Sequence, residues 1–122
     1  MFISRECDYA IRIVRDLAGG EKKFVKAICD NEHIPQQYAY KILKKLEKSH
    51  IVKSFRGANG GYQLDKNIDE ITIYDILISI DNGLCLNECM KDNAVCSRNN
   101  PEDPCSVHKY LLKLQDNLID VL

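Results

Sequence analysis

No stretch of this 122-residue chain approaches the ~18 consecutive apolar residues that a membrane-spanning helix needs. Its first residues, Met1, Phe2, Ile3, Ser4 and Arg5, lack the apolar core and small-residue cleavage site of a secretory signal. There is no internal repeat, no low-complexity tract, no phosphate-cradling loop and no pairing of a nucleophile with a base. These absences lead to the expectation of a soluble, cytoplasmic protein that is not an enzyme. Net charge is nearly absent too, at -1, and 45% hydrophobic with 29% charged residues is ordinary for a globular chain. The length suits one domain with an arm.

The small net charge conceals an asymmetry. Residues 1–66 hold 13 Lys and Arg against 8 Asp and Glu, whereas residues 67–122 hold 4 against 10. The front half is therefore suited to face a polyanion and the back half is not.

Ser4 is placed to cap a first helix whose apolar positions Cys7, Ala10, Ile11, Val14, Leu17 and Ala18 recur at three- and four-residue steps, until Gly19 and Gly20 stop it. Arg5, Asp8, Arg12 and Arg15 occupy its other face, facing water or phosphate. A shorter helix over residues 25–31 buries Val25, Ile28 and Cys29. His33, Ile34 and Pro35 form a turn, with Pro35 expected as first residue of the next helix, where its missing N–H costs nothing.

The third helix, residues 36–48, buries Tyr38, Ala39, Ile42, Leu43 and Leu46 and presents Gln36, Gln37, Tyr40, Lys41, Lys44, Lys45 and Lys48. Between Pro35 and Arg56 there are six basic residues and one acidic one, Glu47. Helix, short turn, then a helix with a polar, basic outer face is the helix-turn-helix arrangement, whose second helix enters the major groove. Residues 51–55 and 62–64 read as paired strands, joined by a tip of Arg56, Gly57, Ala58, Asn59, Gly60 and Gly61. Such a tip suits a wing that approaches a narrow minor groove or its phosphates.

Thr72 and Asp75 form a capping-box pattern opening a helix with Ile73, Ile76, Leu77 and Ile80 buried, ended by Asn82 and Gly83. A last helix starts near Cys105. Its Leu111, Leu114, Leu118 and Val121 form a short coiled-coil-like seam widened by Leu112, Ile119 and Leu122, which suits packing on a second copy.

Six cysteines in a reducing compartment favour ligand or sensor roles over disulfides. Cys7 and Cys29 fall on apolar helix faces and read as small core residues. His33 and His50 read as surface histidines. Cys89, Cys96, Cys105 and His108 form a ligand set wider than a compact zinc finger, with Cys85 as a spare thiol. Soft thiolates suit an iron-sulfur cluster or zinc, and a metal-free thiol switch also fits the spacing. His108 follows Cys105 by one helical turn, so both side chains can point the same way. A small iron-sulfur electron carrier is the reading from another class, but it leaves the basic front half and glycine-rich tip without purpose.

The residues Cys7-Asp8-Tyr9-Ala10-Ile11-Arg12, the helix of residues 35–46, the run Val52-Lys53-Ser54-Phe55-Arg56-Gly57-Ala58-Asn59-Gly60-Gly61-Tyr62, and the set Cys89, Cys96, Cys105, His108 together resemble the Rrf-type family of bacterial winged-helix transcription regulators. Its branches are IscR-like, NsrR-like and CymR-like. The resemblance implies a mainly α fold with a small β wing: a winged helix-turn-helix over residues 1–83, a cysteine-rich cluster-binding loop over 84–108 and a dimerisation helix over 105–122. It implies a homodimer, a repressor in function, binding palindromic operator DNA. Reading residues would be Pro35, Gln36, Gln37, Tyr38, Tyr40 and Lys41, with Arg56, Gly57, Asn59 and Gly60 on the wing and Lys44 and Lys45 on phosphates.

The resemblance further implies a 2Fe-2S or 4Fe-4S cluster that senses iron-sulfur, redox or nitric oxide status. Three loop cysteines would hold it, with a fourth ligand that is His108 in the IscR-like pattern or Asp8, reaching across the dimer, in the NsrR-like one. CymR-like members imply the alternative, a cluster-free regulator responding to thiol oxidation or to a partner enzyme of cysteine metabolism. The chain departs from the IscR-like pattern in a longer spacing between Cys96 and Cys105, in the extra thiol Cys85, and in stopping at Leu122 without the tail many members carry.

Overall fold

The structure, a computed structural model, describes residues 3–81 and 105–121. The chain falls into two compact units, Ile3–Asn82 and a second one containing Gly83–Leu122. In the first, α1 spans Arg5–Asp16, α2 Val25–Glu32, α3 Gln36–Lys48 and α4 Ile73–Ile80, with strands β1 (Val52–Phe55) and β2 (Gly61–Leu64) between α3 and α4.

Local chemistry sets these boundaries. The Ser4 hydroxyl accepts from the Cys7 amide at 3.2 Å, satisfying one of the orphan donors at the start of α1. Thr72 and Asp75 exchange side-chain and backbone bonds at 3.0 Å each, the capping box expected at the start of α4. Helix α2 ends on His33 in the left-handed conformation at φ 55°, and Ile34 then donates back to the Cys29 carbonyl at 3.1 Å. Pro35 is the N-cap of α3 rather than its first residue: at ψ 134° it is extended, and its carbonyl accepts from Tyr38 and Ala39. Proline's fixed φ fits both positions, so only ψ decides between them.

Helix α3 lies at the centre, packed against α1, α2, α4 and β1. Ala39, Ile42, Leu43 and Leu46 on its inner face are fully buried, together with Cys7, Ala10 and Ile13 of α1, Leu17 at the C-cap of α1, Ile28 of α2 and Leu77 of α4. Two expectations for α1 need correction: Ile13 is in the core, while Ile11 and Ala18 are only half-buried. A turn of about 100° per residue places position 13 on the buried arc, roughly 40° beyond 17, and moves 11 to its margin, roughly 100° from 10. Ile34, in the turn, is also core, at 4% exposure.

The hairpin pairs Val52 with Leu64 and Phe55 with Gly61 in antiparallel register. A further element lies beside it: Lys23 and Tyr62 exchange backbone bonds at 2.9 and 2.8 Å, so the connection between α1 and α2 forms a third, one-residue strand along β2. Gly61 makes this possible. Its φ is 123°, and a Cβ there would sit 2.6 Å from the Lys23 carbonyl oxygen.

The second unit contains α5, Ser106–Val121. None of its described residues is fully buried, and Val107, Tyr110, Leu114, Leu118 and Val121 are exposed. Among the described residues no helix is long and apolar enough to cross a membrane.

Candidate nucleic-acid interface

The outer face of α3 follows from its inner one. With positions 39, 42, 43 and 46 buried, Gln36, Gln37, Tyr40, Lys41 and Lys44 must point outward, and all five are exposed, as is Pro35. Tyr38 is half-buried, its ring centroid 5.8 Å from that of Tyr9 on α1. Beside this face, α2, the start of α3 and the hairpin enclose an open groove of about 910 Å³. Phe24, Gln36, Tyr40, Phe55, Arg56 and Gly57 are among its lining residues.

The tip of the hairpin is built to stay compact. Gly60 donates to the Gly57 carbonyl at 3.0 Å, and a Cβ on Gly60 would come within 2.5 Å of the Phe55 carbonyl oxygen. Arg56, Gly57 and Asn59 are exposed. Sequence reasoning missed the residues that hold this tip. Lys22 donates to the Asn59 carbonyl at 3.1 Å and lies 4.6 Å over the Phe55 ring. Gln63 donates to the Gly20 carbonyl. The signal available was the basic pair Lys22-Lys23 just after Gly19-Gly20, but nothing local says which part of the chain it meets.

The cations of this surface are unequal. Lys44 and Lys48 are exposed and enter no ion pair among the described residues. Lys41 and Lys45 both reach Glu6 of α1, at 2.9 and 3.1 Å, and Lys45 also donates to the Ile80 carbonyl at 3.3 Å. Hydrogen bonds from Lys41 and then Lys45 hold the Glu6 carboxyl below its ordinary value.

The arginines expected to face water or phosphate are engaged as well. Arg12 pairs with Asp8 at 2.8 Å one helical turn away, and Arg15 pairs with the buried Glu32 of α2. Arg15 holds the Glu32 carboxyl below its ordinary value, chiefly by hydrogen bonding its charged form.

Of the expected metal ligands, Cys89 and Cys96 lie outside the described residues, as does Cys85. Cys105 directly precedes α5, and its carbonyl accepts from the Lys109 amide at 3.2 Å. His108 is in the first turn, three residues on, and both side chains are half-buried. A thiol and an imidazole one turn apart are a donor pair that suits a soft metal. Asp8 is half-buried, with its carboxylate on Arg12. Among the described residues no three His, Cys, Asp or Glu side chains gather into a metal-holding group. Cys7 and Cys29 are core residues; burial raises both thiols, and Cys7 donates to Asp81 at 3.3 Å.

Comparison with known proteins agrees with this architecture. The family model Rrf2, described as an iron-dependent transcriptional regulator, matches residues 3–122. The HTH-type transcriptional regulator CymR of Bacillus subtilis is 30% identical over 101 residues, covering 80% of this chain and 73% of CymR. The solved structure of B. subtilis CymR, described as the global cysteine regulator, gives a TM-score of 0.77 at 25% identity, covering 100% of this chain and 89% of that one. The structure of T. potens IscR gives 0.72 at 25% identity, with 100% and 80% covered. Protein rrf2 of Nitratidesulfovibrio vulgaris is 29% identical over 101 residues, covering 80% of this chain and 67% of its own. With a family model spanning the described fold from α1 to α5, the chain belongs to the Rrf2 family and is a winged-helix, DNA-binding transcriptional regulator, not an enzyme.

Proposed function

We propose that the protein acts as a homodimer joined by α5, reads a palindromic operator with α3 and the wing, and senses through an iron-sulfur cluster, 2Fe-2S or 4Fe-4S. One observation carries the DNA part: the exposed Gln36, Gln37, Tyr40 and Lys44 stand beside a glycine-tipped hairpin bearing Arg56, with an open groove between. A helix set in the major groove places its first residues on base edges, and the groove next to it leaves room for the sugar–phosphate strand that separates major from minor groove. The exposed stripe Val107, Tyr110, Leu114, Leu118 and Val121 steps by three, four, four and three, and supports α5 as the dimer seam.

Cys89, Cys96 and Cys105 would hold the cluster, with His108 or the partner's counterpart of Asp8 completing the set. A bound cluster supplies a centre that reacts with oxidants and nitric oxide. The Cys105 and His108 pair at the start of α5 supports His108, whereas Asp8 would have to leave Arg12. The cysteine segment joins the DNA-reading unit to α5 in the chain, so a cluster held there would bear on which dimer geometries are favoured. A coupling of about 1 to 3 kcal/mol between segment and DNA would change operator affinity roughly 5- to 150-fold. A second reading, a cluster-free regulator responding to thiol oxidation or a partner enzyme, is favoured by the whole-chain likeness to CymR.

Protein isolated without oxygen is the test, analysed for iron, acid-labile sulfide and visible absorption, and then used to select sequences from a random duplex library. Bound iron and sulfide, with an inverted repeat enriched and its affinity altered on cluster loss, is the expected result. Colourless, iron-poor protein that iron and sulfide do not reconstitute overturns the cluster and leaves the thiol reading. Selection of single, unpaired half-sites overturns the dimer.

A further inference from the structure

The four lysines on the outer part of α3 look interchangeable in the sequence, but α1 divides them. Both carboxylate oxygens of Glu6 are occupied by α3, Oε1 by Lys41 and Oε2 by Lys45. The carboxylate is in the first turn of α1, where the helix N-terminus favours a negative charge, and its side chain is only 24% exposed. Lys45 has a second anchor in the Ile80 carbonyl at the end of α4. Lys41, 60% exposed, is held by Glu6 and is otherwise placed on the outer face. An ammonium beside a carboxylate presents little net charge to a phosphate, so neutralising DNA with Lys41 means breaking its bond to Glu6.

We propose that Glu6 is a charge clamp that withholds Lys41 from DNA and thereby sets how many phosphates α3 neutralises. The inference rests on the DNA-facing role of α3 proposed above. Breaking the Glu6–Lys41 pair would lower affinity by up to about fivefold at fixed salt, so Lys41 stays on Glu6 when the wild-type protein binds DNA. Lys45 stays on the Ile80 carbonyl when Glu6 is neutralised, so one lysine per protomer is released, not two. Glu6 is thus a positioning residue that tunes affinity and its salt dependence from outside the DNA-reading helix.

The test is fluorescence anisotropy with a labelled 30-base-pair mixed-sequence duplex across a range of KCl concentrations. Each added phosphate contact steepens the slope of log affinity against log salt by ~0.9. Glu6→Gln is expected to steepen it by that amount per bound protomer and to tighten binding at low salt. Lys41→Gln in the Glu6→Gln background should remove the gain. Glu47→Gln removes an equal charge from α3 itself, and is expected to change the slope less than Glu6→Gln does. A Glu6→Gln slope equal to wild type, or to that of Glu47→Gln, overturns the clamp. Should Glu6→Gln fail to fold, Lys41→Gln alone decides, since a full ~0.9 loss from the wild-type slope means Lys41 was already on DNA. Wild-type protein with no salt-dependent retention of the duplex would instead sink the DNA-facing reading of α3, a separate failure.

Discussion

Glu32 shows how much of this surface is spent on internal structure. It is the one charged residue buried among those described, at 9% exposure, and Arg15 donates to its Oε1 at 3.1 Å with a second bond to Oε2, while the Arg12 guanidinium meets its backbone carbonyl at 3.4 Å. Removing the partner of a buried carboxylate leaves an unsatisfied charge, so Arg15→Ala is expected to cost roughly 1 to 3 kcal/mol at pH 7 by urea denaturation. The Glu32 carboxyl is lowered in the folded state, so the pair's contribution is complete above the ordinary carboxylate range and fades as pH falls through the lowered value. Wild type and variant should therefore converge in stability as pH is lowered below the ordinary carboxylate range; a difference that stays as large as at pH 7 would show that the ion pair is not its source. Neither arginine announced this role in the sequence. Spacing places Arg12 and Arg15 on the outer face of α1, but the carboxylate they meet comes from a different helix.

At the scale of elements, the helix-turn-helix and wing were legible because each is specified by neighbours in the chain. The apolar stripe of α3, the glycines of the tip and the Thr72–Asp75 capping box each need only local geometry, and the structure places them where the pattern predicts, except that Tyr38 is half-buried and Gly61 opens β2 instead of standing in the tip. The anchoring of the wing was not legible. Lys22 on Asn59, Gln63 on Gly20 and the Lys23–Tyr62 bridge join residues more than thirty positions apart. The surface built on these elements makes distinct predictions for its two kinds of contact. Lys44→Ala is expected to weaken binding to all duplexes and flatten the salt slope by ~0.9 per bound protomer, as loss of one phosphate contact from each does. Arg56→Ala is expected to cost about 1 to 3 kcal/mol on the selected operator and less on mixed-sequence DNA. Equal losses on both duplexes would make Arg56 a phosphate contact rather than a reading residue.

For the molecule as a whole, the exposed stripe of α5 is the feature with the largest consequence. Five large residues on a 16-residue helix are exposed along one seam, Val107, Tyr110, Leu114, Leu118 and Val121. Burying a leucine side chain contributes roughly 1.5 to 3 kcal/mol, so a symmetric pair of such helices can hold a dimer. Leu114→Glu with Leu118→Glu should convert the protein to monomer in sedimentation equilibrium and weaken operator binding, while the first unit keeps its helical folding transition; a variant that remains dimeric removes α5 from the seam. By itself the sequence determined the helices, the wing, the family and the candidate thiols, because periodicity, caps and motif spacing are properties of adjacent residues. Tertiary structure alone decided which charges remain available to DNA. It set Glu6 on Lys41 and Lys45, Arg15 on Glu32, and Lys22 against the wing, because an ion pair depends on where two elements pack and not on where either lies in the chain.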